Sequence, residues 1–308
     1  MSAAAPPPEE ERRCALVAVL GAANAGKSTL VNRLAGAKVS IVTPKAQTTR
    51  FRVRGIAMAG AAQLVLVDTP GIFRPRRRLD EAMVEAAWAA LQDADAIVLV
   101  FDAQRREIDP HSRKVLETLE RQGRQALVAL NKVDLVAKPR LIPLAEAFAA
   151  SPAAAEIFML SAESGDGVED LRARLAALAP PGPWLFPEDE ASDLSARLLA
   201  AEVTREKLFL NLHEEIPYGL TVETEGWEDF QDGSVKIDQL VCVAREGHRR
   251  IAIGKGGQAI AAVRRQAQRE LEELLGRRVH LFLTVKVDPR WSEDPRRLRL
   301  LGLDLPAG

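Results

Sequence analysis

Gly21-Ala22-Ala23-Asn24-Ala25-Gly26-Lys27-Ser28 has the spacing G-x-x-x-x-G-K-S, which suits one task above others: cradling a chain of phosphates. The glycines let successive backbone N–H groups curl around phosphate oxygens with no Cβ in the way. Lys27 has the reach for the β- and γ-phosphates, and the Ser28 hydroxyl suits a magnesium ion. Thr29 opens the helix that follows, whose positive N-terminal end favours anions.

Three further short segments carry compatible chemistry. In Asp68-Thr69-Pro70-Gly71 the acid can hold magnesium through water and the Gly71 N–H can meet a γ-phosphate; alone, the same residues make an ordinary turn. Asn131-Lys132-Val133-Asp134 selects the base. The Asp134 carboxylate can accept from both N1–H and the 2-amino group of guanine, whereas adenine would leave it unpaired. Lys132 can lay its stem over the ring, and Asn131 can bridge loop and base. In Ser161-Ala162-Glu163 the Ala162 N–H can donate to guanine O6, although by itself the triplet is no more than a helix cap. The segment Lys45–Arg50 offers two threonines to complete a magnesium shell beside Ser28 and Asp68, with Thr49 the first choice and Thr48 the alternative. The catalytic candidates are Lys27, Thr49 and Gly71.

Positioning these groups requires strands that deliver loops to one edge. Ala15–Leu20, Leu64–Val67, Ala96–Phe101, Ala126–Leu130 and Glu156–Leu160 are apolar runs of the kind buried on both faces, and Asp80–Leu91 and Ser112–Arg121 have helical periodicity. The alternation predicts an α/β domain with a doubly wound, mostly parallel sheet, in which ligands bind beyond the carboxyl ends of the strands. All four motifs fall there. Their order and spacing match the translation-factor-like class of P-loop GTPases. Hydrolysis would then be in-line attack of water, with the protein positioning groups and neutralising charge. Small signalling GTPases carry a water-orienting glutamine just after D-x-x-G; Ile72 stands here, so slow intrinsic turnover raised by a partner is expected. Asn24 resembles the residue by which some related GTPases hold potassium, the alternative being that it only supports the loop. The run Arg74-Pro75-Arg76-Arg77-Arg78 reads as a solvated loop, with contact to RNA or an acidic partner as the alternative.

The proline-rich stretch Ala179–Pro187 marks a stiff linker. The chain thus divides into a disordered acidic tail (1–13), a GTPase domain (14–179), a linker (180–195) and a second domain (196–308). In the last, Ser195–Leu210 reads as an amphipathic helix with Leu198, Leu199, Val203 and Leu210 near one stripe, followed by strands Leu220–Glu225 and Lys236–Ala244. Ile253-Gly254-Lys255-Gly256-Gly257 with Ile260 is the I-G-x-x-G-x-x-I pattern of a KH RNA-binding module. The glycine loop joins two helices and admits an RNA backbone, Lys255 projects at its phosphates, and Ile253 and Ile260 flank an apolar groove for bases. Helix Gln258–Leu275 and strand Arg278–Val287 complete a small α+β unit in the prokaryotic, type II order. Around the loop Arg245, Arg249, Arg250, Lys255, Arg264 and Arg265 face a single acid, Glu246. Such a patch makes RNA affinity fall with salt. Solvated arginines beside a glycine-rich turn are the bland alternative.

Bulk composition agrees with two soluble domains: 308 residues, 47% hydrophobic, 28% charged and a net charge of −1. Any nucleic-acid site must therefore be local. Cys14 and Cys242 lie far apart in apolar runs, which fits a reducing compartment and inert thiols. The four scattered histidines argue against zinc.

The whole chain after Arg13 resembles the Era family of bacterial ribosome-assembly GTPases. The resemblance is carried by Gln47-Thr48-Thr49-Arg50, Asp68–Gly71 and Asn131–Asp134, by Phe186–Asp189, Glu202–Lys207 and Glu215–Tyr218, and by Trp291 before Leu298–Gly302. It implies GTP/GDP and Mg2+ as ligands, and binding of the single-stranded 3′ end of small-subunit ribosomal RNA during maturation of the small ribosomal subunit. It also implies a cytoplasmic, monomeric protein with peripheral association at the inner membrane, although no strongly amphipathic basic helix stands out. Ala22, Ala23 and Ala25 are blander than the family's usual loop fillers.

Overall fold

The unbroken apolar run at 15–20 demands cover on both faces, and it receives it. In the computed structural model, which describes residues 7–45, 48–50, 52–70, 78–212, 216–294, 296 and 297, β1 (Arg13–Leu20) lies inside a six-stranded sheet. Its neighbours are β3 (Ala62–Asp68) on one side and β4 (Ala96–Asp102) on the other. Outside these come β2 (Val53–Ala59), β5 (Ala126–Asn131) and β6 (Ala154–Met159), in the order β2-β3-β1-β4-β5-β6. All pairings are parallel except β2 with β3. Helices α1 (Lys27–Ala35), α2 (Arg78–Gln92), α3 (Pro110–Arg121), α4 (Leu141–Ala149) and α5 (Val168–Leu178) connect them. Asp109 caps α3, accepting from His111 N and Ser112 N with Pro110 at the first helical position. Phe101 and Phe148 meet edge to face at 5.0 Å in the core.

The described residues form two units, one of Met1–Ser40 with Thr49–Asp193 and one of Ile41–Thr48 with Leu194–Gly308. The proline-rich segment is pinned to the first. Gln63, fully buried on β3, donates to Phe186 O and accepts from Leu185 N and Phe186 N at 2.8–3.0 Å, and Trp184 Nε1 donates to Ala61 O. The acidic tail, read from composition as disordered, is in part structured. Glu9–Glu11 form a 3-10 turn and Arg13 begins β1. The cause is local anchoring: Arg12 lies 4.8 Å over the Trp184 ring, and Arg13 donates to Ala179 O at 2.7 Å.

The second unit packs α6 (Ala196–Asn211), α7 (Glu246–Ile253) and α8 (Gln258–Leu275) with a three-stranded sheet. Strand β8 (Val235–Val243) is central, antiparallel to β7 (Leu220–Asp229) and parallel to β9 (Val279–Val287). Alternate residues Val235, Ile237, Val241 and Val243 of β8 and Val279 and Leu281 of β9 join two apolar clusters with α6 and α8. Helix α6 departs from the amphipathic reading. Leu210 is 45% exposed, while Glu202, Thr204, Arg205 and Glu206 are buried. Glu202 and Arg205 pair at 2.6–2.8 Å, which lets charge be buried on this helix.

Cys242 is fully buried, and desolvation pushes its thiol up to about 11. The thiolate is the reactive form. At pH 8 Cys242 of the native chain should resist iodoacetamide while the unfolded chain reacts fully, with mass spectrometry as the readout. The folded state favours the protonated thiol, so this contribution to stability is intact below the ordinary value of 9.0 and is lost as pH rises through 11. No helix among the described residues is long and apolar enough to cross a membrane.

Candidate nucleotide site and nucleic-acid interface

In the first unit β1, β3 and β5 end at one edge of the sheet, and each hands over to a motif. The loop after β1 curls because Gly21 (φ 146°), Asn24 (φ 64°) and Gly26 (φ 98°) adopt positive φ, which asparagine tolerates better than most side chains. Lys27, 6% exposed, donates to Gly21 O at 3.2 Å and Ala22 O at 3.0 Å, so its ammonium lies across the loop's concavity. Ala22 and Ala25 are buried and Ala23 half-buried, so these small side chains fill the loop's underside; Thr29 lies in the first turn of α1.

Ser28, Thr49 and Asp68 converge. Ser28 Oγ lies 2.9 Å from Thr49 Oγ1 and 2.7 Å from Asp68 Oδ2, and Thr49 Oγ1 is 3.1 Å from the same carboxylate oxygen. Thr48 points elsewhere: its hydroxyl lies 2.7 Å from Thr43 Oγ1 and donates to Lys45 O. Desolvation raises the Asp68 pKa, opposed by Lys27 and by the Ser28 and Thr49 hydroxyls. Burial lowers the Lys27 pKa, opposed by Asp68. Asp68 Oδ1 has no hydrogen-bond partner of standard geometry among the described residues, and neither does the buried Ser40 hydroxyl, which sits near enough to lower the carboxylate's pKa. Hard oxygen donors with an unspent buried carboxylate lone pair fit Mg2+. Thr69 Oγ1 donates to Val19 O at 2.8 Å, and Pro70 is buried beside it. Gly71, Ile72 and residues 74–77 lie outside the described residues.

Asn131 is a brace. Its Nδ2 donates to Ala25 O and its Oδ1 accepts from Ala162 N, both at 2.9 Å. The Ala162 N–H, read as a donor to guanine O6, is thus directed at Asn131, because the two strand ends lie side by side. Lys132, also at positive φ (65°), donates to Asp102 Oδ2 at 2.6 Å and to Asn24 O at 2.8 Å, which fixes its extended side chain beside the phosphate loop. Asp134 sits exposed in the 3-10 turn Val133–Leu135. Ser161, fully buried, accepts from Ser164 N, while Glu163 is exposed. Arg33 of α1 donates to Ala162 O at 3.1 Å and to Glu163 O, tying this loop to the phosphate-loop helix.

Sequence reasoning missed Arg33, Asp102 and Gln63. An acid closing a strand was the available signal for Asp102; nothing distinguished Arg33 from a solvated arginine. Gly26 shows how tight the brace is, since a Cβ there would fall 2.1 Å from Asn131 Nδ2. Gly26→Ala should weaken GTP and GDP alike by at least about tenfold while circular dichroism is retained, as titration with fluorescent nucleotides can check.

In the second unit Gly254, Gly256 and Gly257 take φ of 74°, 59° and 77° between α7 and α8. A Cβ at Gly254 would meet Ala259 Cβ at 2.7 Å, whereas Gly256 and Gly257 face open space. Arg245, Arg249, Arg250, Lys255 and Arg265 are exposed around the loop; Glu246 pairs with Arg249, at 3.2 Å. Ile260 packs on the apolar core and Ile253 is half-buried. Ile251, not anticipated, is the most open isoleucine here at 52% exposure. An open, cationic corner beside apolar side chains can admit a sugar-phosphate strand and stack its bases.

These geometries have counterparts in known proteins. Residues 16–132 match the family model described as 50S ribosome-binding GTPase, and residues 215–292 match that of the KH domain. The chain is 55% identical to GTPase Era of Dinoroseobacter shibae, covering 96% of this chain and 97% of that protein. It is 53% identical to GTPase Era of Rhizobium meliloti, covering 96% and 94%. Among solved structures, Era in complex with MgGDPNP and nucleotides 1506–1542 of 16S ribosomal RNA superposes with a TM-score of 0.89 at 37% identity, covering 94% of this chain and 99% of that one. A variant of Aquifex aeolicus Era bound to GDP·AlF4− gives 0.88 at 37% identity, with the same coverage. With both modules in the same order along nearly the full length, the chain belongs to the GTPase Era family.

Proposed function

We propose that this chain is a GTP-driven switch on RNA. It hydrolyses GTP to GDP and phosphate in its first unit and binds the 3′ end of small-subunit ribosomal RNA through the glycine loop of its second, during assembly of the small ribosomal subunit. One observation carries the reading. A phosphate-binding loop with an Asn131–Asp134 base motif and a KH loop share a chain that aligns along 96% of its length with GTPase Era, one solved member of which holds both MgGDPNP and 16S RNA. The 50S label belongs to a model matching residues 16–132 alone. The choice of small-subunit RNA rests instead on the full-length relative.

In this mechanism Lys27 and the N–H groups of residues 21–28 neutralise the β- and γ-phosphates. Ser28 and Thr49 supply hydroxyl ligands to Mg2+, and Asp68 holds it through water. When bound, the ion withdraws charge from the oxygens on which it builds during transfer. Asp134 and Lys132 hold the base, and Gly71 meets the γ-phosphate. Ile72 has no group to orient the attacking water, so turnover is slow until RNA or the ribosomal subunit engages. Asn24 gives potassium a place beside the phosphates. We place the protein in the cytoplasm, where subunits are built, with peripheral contact at the inner membrane a property implied by the family.

The test is phosphate release from the full chain with and without a 16S 3′-end transcript, in potassium and in sodium at equal ionic strength. Transcript-stimulated release supports the reading. No release under any condition leaves an RNA-binding protein with GTP as a structural ligand, and equal rates in the two salts remove the potassium role.

A further inference from the structure

Residues 41–48 lie in the chain between α1 and Thr49, yet they cluster with the second unit. Helix α6 of that unit holds them at three points. Val42 N donates to Glu206 Oε1 at 2.8 Å. Lys45 Nζ donates to Phe209 O and Leu212 O, at the end of α6 where the helix dipole is negative. Arg205 Nη2 donates to Thr48 O.

Both partners of the segment are themselves fixed. Lys207 reaches Glu206 at 2.9 Å and also pairs with Glu270 of α8. Arg205, 1% exposed, is gripped by both carboxylate oxygens of Glu202. Within the segment the Thr43 and Thr48 hydroxyls meet at 2.7 Å, which ties its two described parts together. Burying this much charge on one helix is costly, and a helix needed only to cover a sheet would use apolar residues. The charge of Glu206 and Arg205 is directed at the backbone of residues 42 and 48, while the Lys45 ammonium is held by main-chain carbonyls. The Thr48 carbonyl belongs to the peptide bond that leads directly into Thr49, whose Oγ1 stands in the Ser28–Asp68 cluster.

We infer that Lys45, Arg205 and Glu206 are positioning residues for GTP hydrolysis: through the segment at 41–48, helix α6 sets where Thr49 stands, and by the same route registers whether Thr49 is engaged at the γ-phosphate. The inference rests on the proposed magnesium role of Thr49. By reciprocity, whatever the RNA-bound unit does to α6 is felt at Thr49, and whatever nucleotide does to Thr49 is felt at α6.

The experiment compares the full chain with its Lys45→Met, Lys45→Arg, Glu206→Ala and Thr49→Ala variants. In Lys45→Met and Glu206→Ala, kcat should fall about tenfold and half-maximal turnover should need more Mg2+, while GDP affinity stays within about twofold. Lys45→Arg, which keeps the cation at the helix end, should recover most of the rate. In Lys45→Met the difference in affinity for a 16S 3′-end RNA oligomer between the GTP-analogue and GDP forms should narrow.

Parental turnover and magnesium dependence in both Lys45→Met and Glu206→Ala, with Thr49→Ala slow, overturns the inference and leaves the magnesium role standing. Parental turnover in Thr49→Ala overturns the magnesium role and the inference with it. Equal loss of GTP and GDP affinity together with a lower Tm in these variants marks a purely structural contact and also overturns the inference.

Discussion

Asp134→Asn should exchange the preferred base. In the proposed base site the carboxylate accepts two hydrogen bonds from guanine, and bonds to a charged group are each worth about 1.5–3 kcal/mol, so GTP and GDP affinity should fall by about two to four orders of magnitude. Xanthosine nucleotides should gain, because the new amide N–H can donate to the carbonyl that replaces the 2-amino group. Asp134 is exposed on a one-turn helix, so the substitution should leave folding intact. Titration with paired guanosine and xanthosine diphosphates reads the effect. Unchanged preference for guanine would remove Asp134 from the base site. The companion change at Asn131 is a poorer test, since that side chain holds two loops together and its loss would disturb phosphate and base binding at once.

The second large effect is expected at the glycine loop of the KH unit. Gly256→Asp places a carboxylate where the RNA backbone should approach, in open space and at a φ of 59° that aspartate tolerates. RNA affinity should drop by about 10- to 100-fold with nucleotide affinity unchanged, measured by fluorescence anisotropy on a 3′-end oligomer. Retained RNA affinity would put the groove elsewhere. Gly254→Asp would be ambiguous, because any Cβ at that position strikes Ala259 and the helix corner itself would have to move.

What was legible in the sequence follows from what is local in physics. The phosphate loop, Asp68, Asn131–Asp134 and the 254–257 corner are each defined by a few consecutive residues whose backbone conformations or donors do the work. Their strands announce themselves because burial on both faces leaves an unbroken apolar run. Strand β2 was missed because Val-Arg-Gly-Ile-Ala-Met-Ala is an edge strand whose apolar run is broken by an arginine and a glycine. Arg33, Asp102 and Gln63 were missed because their meaning arises only when elements distant in the chain are brought together. The bonds Arg33–Ala162, Asp102–Lys132 and Gln63–Phe186 span gaps that no spacing rule covers.

Helix α6 is the instructive failure. Its leucines suggested a simple apolar stripe, yet Leu210 faces solvent and Glu202, Arg205 and Glu206 are buried. A buried charge looks, in sequence, like any solvated one. Only its partners reveal that it has been matched, here by Lys207, by Glu202 and by the backbone of residues 42 and 48. The threonine pair at 48 and 49 shows the opposite case. Of two adjacent hydroxyls, Thr49 was the first choice and Thr48 the alternative; the structure separates them, one hydroxyl meeting Thr43 and the other Asp68.

The account stands on coupling between two sites on one chain, and one equilibrium measurement reaches it directly: the affinity of the full chain for a 16S 3′-end RNA, loaded in turn with a non-hydrolysable GTP analogue and with GDP, both with Mg2+ at fixed salt. A coupling free energy of about 1–3 kcal/mol is ordinary for such a switch, so the two affinities should differ by about 5- to 150-fold, with the GTP-analogue form the tighter. Equal affinities in the two states would contradict the account, whatever the rate at which the protein cleaves GTP.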